Sequence, residues 1–417
     1  MRTTKDSGFE WIGIIPTEWG LSKIGQVYRL RNTKVNDTDY PPLSVTNKGI
    51  VPQLDTAAKT SAHDDRKLVK KGDFAINSRS DRRGSCGISD YDGSVSLINT
   101  ILAPLNEMNP GYYDWLFHTV QFGDEFYKFG HGIVDDLWTT GWQEMKKITI
   151  PTPPLPEQQR IADFLDSKCA KIDSLTADIQ TQIDTLEQYK RSVITETVTK
   201  GLNPNAEMKD SGIQWVGEIP LHWPVHPVYF YYGERKNKNR LGKEDNLLSL
   251  SYGRVIRKDI NTNDGLLPES FNTYNIVEAG DIIIRPTDLQ NDKRSLRTGL
   301  VKEHGIITSA YIDLCPLKQV DSRYFHFLLH AYDVMKVFYN MGNGVRQGLN
   351  YSEFSRLVVF KPPYEEQVAM ADYLETKVTE VDTIIEQKKE QMAVLDAYKR
   401  SLIFEYVTGK KEVPCND

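Results

Sequence analysis

Side chains able to grip phosphates or base edges cluster just after short apolar runs. In the first half of the chain these are Thr46-Asn47-Lys48 and Asn77-Ser78-Arg79, with Arg82 and Arg83 close behind. In the second half they are Ser251-Tyr252-Gly253-Arg254, Arg285 and the run Lys293-Arg294-Ser295-Leu296-Arg297, joined by Arg346 and Gln347 from a glycine-rich loop. Arg and Lys reach guanine edges or phosphates, and Asn and Gln pair bidentately with adenine. Each also has a plainer reading as a solvated loop charge, because basic clusters on loops are common.

Catalytic constellations are missing around them. The sequence holds no G-x-x-x-x-G-K-[ST] phosphate loop and no strand-flanked G-x-G-x-x-G. No H-E-x-x-H motif or His/Cys cluster points to a metal, and His118 and His330, aligned in aromatic-rich runs, read as packing residues. Lys361-Pro362-Pro363-Tyr364 imitates an amino-methyltransferase motif, but a Lys stands where the Asp or Asn that holds the target amine belongs. Its counterpart, Thr152-Pro153-Pro154-Leu155, fits a helix opening equally well. Cys86, Cys169, Cys315 and Cys415 are scattered, so neither a disulfide framework nor a zinc site is expected, and a reducing cytoplasm fits. No apolar run spans a membrane, and the first residues lack a secretory h-region.

The net charge of −6 disfavours nucleic acid only until it is divided. Residues 1–156 carry 18 basic and 19 acidic groups and residues 202–361 carry 20 and 18, whereas 157–201 carry 6 and 8 and 362–417 carry 7 and 12. The acidity therefore belongs to the latter two stretches, and the others can still present a basic face.

Those two acidic stretches must position everything else. Leu165, Ile172, Ile179, Leu186 and Val193 recur every seven residues, with Leu175 and Tyr189 at intervening d positions. Such a seam buries one stripe of a helix about 60 Å long against a partner helix. The partner is in the same chain: Pro362-Pro363-Tyr364-Glu365-Glu366-Gln367 restarts the pattern of Pro153-Pro154-Leu155-Pro156-Glu157-Gln158. Leu374, Val381, Leu395 and Leu402 continue it, with Ile384 and Tyr398 at d and Lys388 at an a position as a register pin. Tyr189-Lys190-Arg191-Ser192 returns as Tyr398-Lys399-Arg400-Ser401, and the opening Lys5-Asp6-Ser7-Gly8…Trp11…Trp19 returns as Lys209-Asp210-Ser211-Gly212…Trp215…Trp223. This is a duplicated module rather than a solenoid.

The expected fold is α+β: two similar globular domains, at 1–152 and 202–361, rich in short strands punctuated by Gly, Pro, Asn and Asp. Each contains one aromatic helical run, Tyr112–Phe129 or Tyr324–Met341, and a glycine loop, Gly130–Ile133 or Gly342–Gly348. Two long helices, 153–201 and 362–411, form an antiparallel coiled coil with an internal pseudo-twofold, and 412–417 is a tail. The tryptophan openings read as clips packing on their modules. With DNA half-sites about 34 Å apart per helical turn, the coil is expected to act as a ruler.

The duplicated Trp openings, the two Pro-Pro…Glu-Gln helix starts and the two Tyr-Lys-Arg-Ser tails, in this order, resemble the specificity (S) subunit of type I restriction-modification systems over essentially the full length. The resemblance implies that each globular segment is a target-recognition domain for one half of a bipartite double-stranded DNA target. It implies that the paired helices dock two methyltransferase (M) subunits, and it leaves open whether restriction (R) subunits join. It implies a non-catalytic chain holding no cofactor, with S-adenosylmethionine, and ATP where cleavage occurs, bound by the partners. Two other readings stand beside it: a scaffold binding polypeptides, which salt-insensitive binding would favour, and an enzyme acting alone, which a methyl transfer by the purified chain would favour.

Overall fold

Each clip is a short antiparallel hairpin closed by an aspartate and two glycines. In the first, strand Thr4–Asp6 pairs antiparallel with Ile14–Pro16, and Asp6 Oδ1 accepts from the Gly8 amide at 3.0 Å. Gly8 and Gly13 take φ of +76° and +70°, a region L side chains avoid, which explains both glycines. Met208–Asp210 and Glu218–Pro220 repeat the arrangement, with Asp210 Oδ1 accepting from Gly212 at 3.0 Å. Trp19 and Trp223 behind the clips are fully buried.

The computed structural model describes residues 2–53, 65–79, 82–132, 138–260, 270–287, 296–337, 341 and 348–414. Five helices of eight or more residues are described: α1 (Pro110–Phe117), α2 (Val120–Lys128), α3 (Leu155–Lys200), α4 (Ser322–Val334) and α5 (Tyr364–Val407). The chain forms two compact units, Met1–Gln180 with Lys389–Asp417, and Thr181–Lys388. This division cuts both long helices rather than setting them apart as segments, because each half-helix supplies core residues to a unit.

In the first unit an antiparallel four-stranded sheet runs in the order Cys86–Ile88, Phe74–Asn77, Asn99–Pro104, Tyr28–Leu30. A three-stranded sheet (Gly93–Ser96, Arg66–Val69, Lys34–Val35) and the hairpin Leu43–Thr46/Gly49–Pro52 lie beyond it. Tyr28 and Phe74 of the sheet meet Tyr113 and Phe117 of α1, and Phe117 meets Phe122 of α2. Ile161, Leu165, Cys169 and Ile172 of α3 and Leu402, Ile403, Tyr406 and Val407 of α5 complete this core. The expected single run Tyr112–Phe129 is two helices, because Thr119 caps α2 by accepting from the Phe122 amide.

The second unit repeats the plan. Its four-stranded sheet runs Tyr232–Glu234, Ile312–Pro316, Ile282–Ile284, Thr298–Leu300, with the hairpin Leu248–Ser251/Arg254–Arg257 alongside. Tyr232, Tyr324 and Phe325 pack with Ile194 and Val198 of α3 and with Met370, Ala371 and Leu374 of α5.

Within each unit the long helices pair antiparallel. In the first, Phe164 meets Tyr406 with tilted rings 4.5 Å apart and Lys399 donates to Asp173. In the second, Lys190 Nζ donates to Asp382 Oδ1 at 2.8 Å and Lys388, the expected register pin, donates to Gln182. Leu165, Ile172, Leu374, Val381 and Leu402 are buried as expected, and Ile179, Leu186, Val193 and Leu395 partly so. Leu175, Tyr189, Ile384 and Tyr398 are not seam residues: they are 52%, 51%, 41% and 54% exposed. The seam alternates steps of four and three, so Cys169, Thr176, Ile183 and Lys190 on α3, and Val378, Ile385, Met392 and Lys399 on α5, occupy the inward places instead.

Candidate nucleic-acid interface

Each Pro-Pro…Glu-Gln motif locks a clip and an aromatic helix onto a long helix. Trp19 Nε1 donates to Glu157 Oε2 at 2.9 Å, and Trp223 Nε1 to Glu366 Oε2 at 3.0 Å. Gln158 accepts from the Asn109 amide (3.0 Å) and donates to the Pro153 carbonyl (2.8 Å). Gln367 does the same with Asp321 (2.9 Å) and Pro362 (2.7 Å), so both proline motifs are helix openings. A second duplicated lock lies under the sheets. Arg31 grips Asp73, and Arg235 grips Asp281 through two bonds of 2.7 and 3.0 Å; in each case the carboxylate raises the guanidinium pKa against the cost of burial.

On this framework the exposed loops differ. In the first unit Asn47 and Lys48 stand exposed at the hairpin turn, while Thr46 spends its hydroxyl on that turn, donating to the Gly49 carbonyl at 2.9 Å. Arg82 and Arg83 are exposed, and Arg83 lies over the Tyr127 ring at 4.6 Å and 3.5 Å from Asp124. Arg79 is half-buried. Asn77 and Ser78 are not surface groups. Both are buried, Asn77 Oδ1 accepting from the Arg79 amide (3.1 Å) and Ser78 Oγ bonding Thr100 Oγ1 (2.9 Å), because the strand continues inward past Ile76.

In the second unit Tyr252 sits at the hairpin turn with φ +47°, followed by Gly253 at +77°, a two-residue turn of the primed kind that matches strand twist. Ser251 is half-buried, and Arg254 and Arg285 are exposed. Arg297 is a correction: it is buried, its guanidinium donating to the Thr287 carbonyl and its amide to Asp333 Oδ2 (2.7 Å). Lys293, Arg294, Arg346 and Gln347 lie outside the described residues. Arg257, not anticipated, ends the second strand of this hairpin in a pair with Glu303; nothing but its place in an alternating strand signalled it. His118 Nδ1 meets the Asp114 carbonyl at 2.8 Å. Burial, aided by Lys190 and Arg191, pushes His330 down to about 4, as suits a packing role. Among the described residues no group of three or more His, Cys, Asp or Glu could hold a metal, and no helix is long and apolar enough to cross a membrane.

A second surface is repeated rather than varied. Lys168, Leu175, Gln182, Tyr189 and Glu196 follow one heptad position of α3, and Lys377, Ile384, Gln391, Tyr398 and Glu405 repeat it on α5. Each stripe residue from Lys168 to Tyr189, and from Lys377 to Tyr398, directly precedes an inward one, so in an antiparallel pair both helices present these residues on the same flank. In the second unit the Lys377 ammonium, raised first by its Glu380 partner, also feels the Tyr189 phenol across the pair.

The architecture is of a definite class: two duplicated α+β modules, each completed by half of two long helices. Residues 16–185 match the family model of the type I restriction modification DNA specificity domain. The MjaX specificity subunit of a type I restriction enzyme from Methanocaldococcus jannaschii is 26% identical over 276 residues, 65% of this chain and 61% of that protein. The MjaVIII specificity subunit of the same organism is 26% identical over 349 residues, 77% and 76% of the two chains. The chain thus spans about three fifths of the MjaX relative's length. Among solved structures, a chain from work on complex assembly and conformational transition of the type I R-M system superposes with a TM-score of 0.70 at 14% identity, covering 95% of this chain and 99% of that one. The HsdS subunit from Thermoanaerobacter tengcongensis follows at 0.50 and 14%, covering 95% and 98%. Family model, curated relatives and solved structures thus all point to similarity with the specificity subunits of type I restriction-modification systems.

Proposed function

We propose that this chain is the non-catalytic DNA-recognition and scaffold subunit of a type I restriction-modification complex. Each unit reads one half of a bipartite double-stranded target through its hairpin turn and neighbouring loops. The observation that carries this reading is the pattern of sameness and difference between the copies. Clip, tryptophan lock and Arg–Asp lock are reproduced bond for bond, whereas Asn47-Lys48 is replaced by Tyr252-Gly253 and Arg83 has no described counterpart. One framework bearing two unlike loop sets serves two unlike half-sites.

The repeated helix stripe is the docking face for two copies of one partner, the methyltransferase subunit. Half-exposed Leu175 and Tyr398 in the first unit, and Tyr189 and Ile384 in the second, supply equivalent apolar anchors. S-adenosylmethionine belongs to that partner, as does ATP to any restriction subunit.

Methylome sequencing of cells expressing this chain with a cognate methyltransferase subunit tests the reading. In parallel cells Asn47, Lys48, Arg82 and Arg83 are exchanged together. A split methylated motif in which one half alone changes is the expected result. Absence of methylation in both cultures despite a stable complex refutes it and points to a polypeptide-binding scaffold.

A further inference from the structure

Asp382 of α5 is shared between two cations. Its Oδ1 accepts from Lys190 Nζ of α3 at 2.8 Å, and its Oδ2 accepts from Arg254 Nη2 of the hairpin at 3.0 Å. The first unit contains the same acid–lysine pair, Asp173 with Lys399, but not the arginine. The two hairpins share one register, Ser251 facing Arg254 as Thr46 faces Gly49, so a glycine occupies the arginine's place. Asp173 is accordingly 62% exposed and Asp382 only 28%. The pair between the helices therefore stands by itself in one copy, and Arg254 is an addition in the other.

Arg254 is itself 74% exposed while it makes this bond, two residues from the outward Tyr252 ring. An ion pair so exposed has a small net strength and exchanges readily. Resting on the DNA-recognition reading above, we propose that Arg254 is a phosphate-contacting residue held in reserve by Asp382. In the free protein the Arg254–Asp382 bond ties the hairpin Leu248–Arg257 to α5. On DNA the guanidinium exchanges this carboxylate for a phosphate, a bidentate acceptor of the same charge sign. Asp382 keeps Lys190 when Arg254 leaves, so no charge is orphaned, and the Asp173–Lys399 pair displays that two-residue state. Asp382 thus lowers the affinity of the second unit for any duplex, a restraint the first unit lacks.

The test is fluorescence anisotropy of the full-length chain with a labelled duplex of roughly 30 base pairs and mixed sequence, across a salt series. Asp382→Asn should tighten binding about two- to fivefold, the equivalent of one surface ion pair. Arg254→Ala should weaken it and reduce the salt slope by about one, and Arg254→Lys should restore most of that slope. In the Arg254→Ala background Asp382→Asn should have no further effect beyond that of Asp173→Asn, which removes the same charge from the copy without an arginine. Equal effects of Asp382→Asn and Asp173→Asn, or tightening that persists without Arg254, overturn the proposal while leaving DNA recognition intact. A wild-type chain without salt-sensitive binding overturns both.

Discussion

Asp313 places a carboxyl in the second unit where the first unit has an apolar side chain. It faces Ile283 across its sheet as Ile101 faces Ala75 in the first unit, and Ile101 lies in an apolar cluster. Asp313 is 1% exposed, and neither carboxylate oxygen has a hydrogen-bond partner. Arg235 approaches Oδ2 only to 4.0 Å because its fork is committed to Asp281. Burial, then the nearby Asp281 and Glu234 charges, push the Asp313 carboxyl from 3.8 up to about 8, with Arg235 opposing them. Between those pH values the native chain holds a proton that the unfolded chain releases. The contribution is therefore fully present below about pH 4 and is lost as pH rises to about 8. Roughly four pH units at about 1.4 kcal/mol each amount to on the order of 5 kcal/mol. Asp313→Asn removes the titration and keeps the shape. Urea unfolding of both chains at pH 5, 6, 7 and 8 should show the variant's advantage growing with each step, most of it gained by pH 8. Taking the difference cancels the titrating groups that do not interact with residue 313. An advantage that stays constant from pH 5 to pH 8, or shrinks, refutes a protonated buried carboxyl at this position.

The same buried-group logic runs the other way for His326, whose Nε2 is buried without a partner and whose pKa falls to about 3, first through burial and then through His330. Its depressed value stabilises the fold above about pH 6.5 and is lost as pH falls toward 3, so His326→Leu should flatten the acid arm of a stability–pH profile. Gly201 and Gly409 both take positive φ after a long helix, and a Cβ on Gly409 would meet Pro16 at 2.4 Å, whereas one on Gly201 would meet Trp223 at 3.3 Å. Gly409→Ala should therefore cost more than Gly201→Ala, which should lose about 1–2 kcal/mol from backbone strain, as read by thermal unfolding. If the stripe is the docking face proposed above, Tyr189→Ala with Tyr398→Ala should leave the melting temperature within about a degree or two yet weaken capture of a methyltransferase subunit at least about tenfold, because exposed anchors matter only once covered.

Much of the architecture was legible because it is written twice. The tryptophan openings and Pro-Pro…Glu-Gln starts mark places where a buried indole needs an acceptor and a helix start needs donors satisfied, and those needs leave fixed residue types. The seam was half legible. Leu165, Ile172, Ile179 and Leu186 give a seven-residue step, but the intervening inward place can lie three or four residues on. Apolarity favoured Leu175 and Tyr189, whereas packing chose Thr176 and Lys190, the latter made tolerable by Asp382. Burial works against the Lys190 charge, but its Asp382 and Glu187 partners outweigh it and raise its pKa. The interface was least legible, since a polar residue after a strand looks alike whether it faces water, as Arg83 does, or turns inward, as Asn77, Ser78 and Arg297 do.

The misplaced seam residues carry their own argument. Leu175, Tyr189, Ile384 and Tyr398 are large apolar groups left half in water, at equivalent positions of both helices. A stripe serving only the fold would be free to drift in one copy, as Ile101 and Asp313 have drifted apart. It is instead reproduced with its flanking Lys and Gln at every heptad step. Duplication thus separates the surfaces by what they must meet. On the function proposed above, the stripe that coincides is the one that docks the same partner twice, and the loops that diverge are those that read two different sequences.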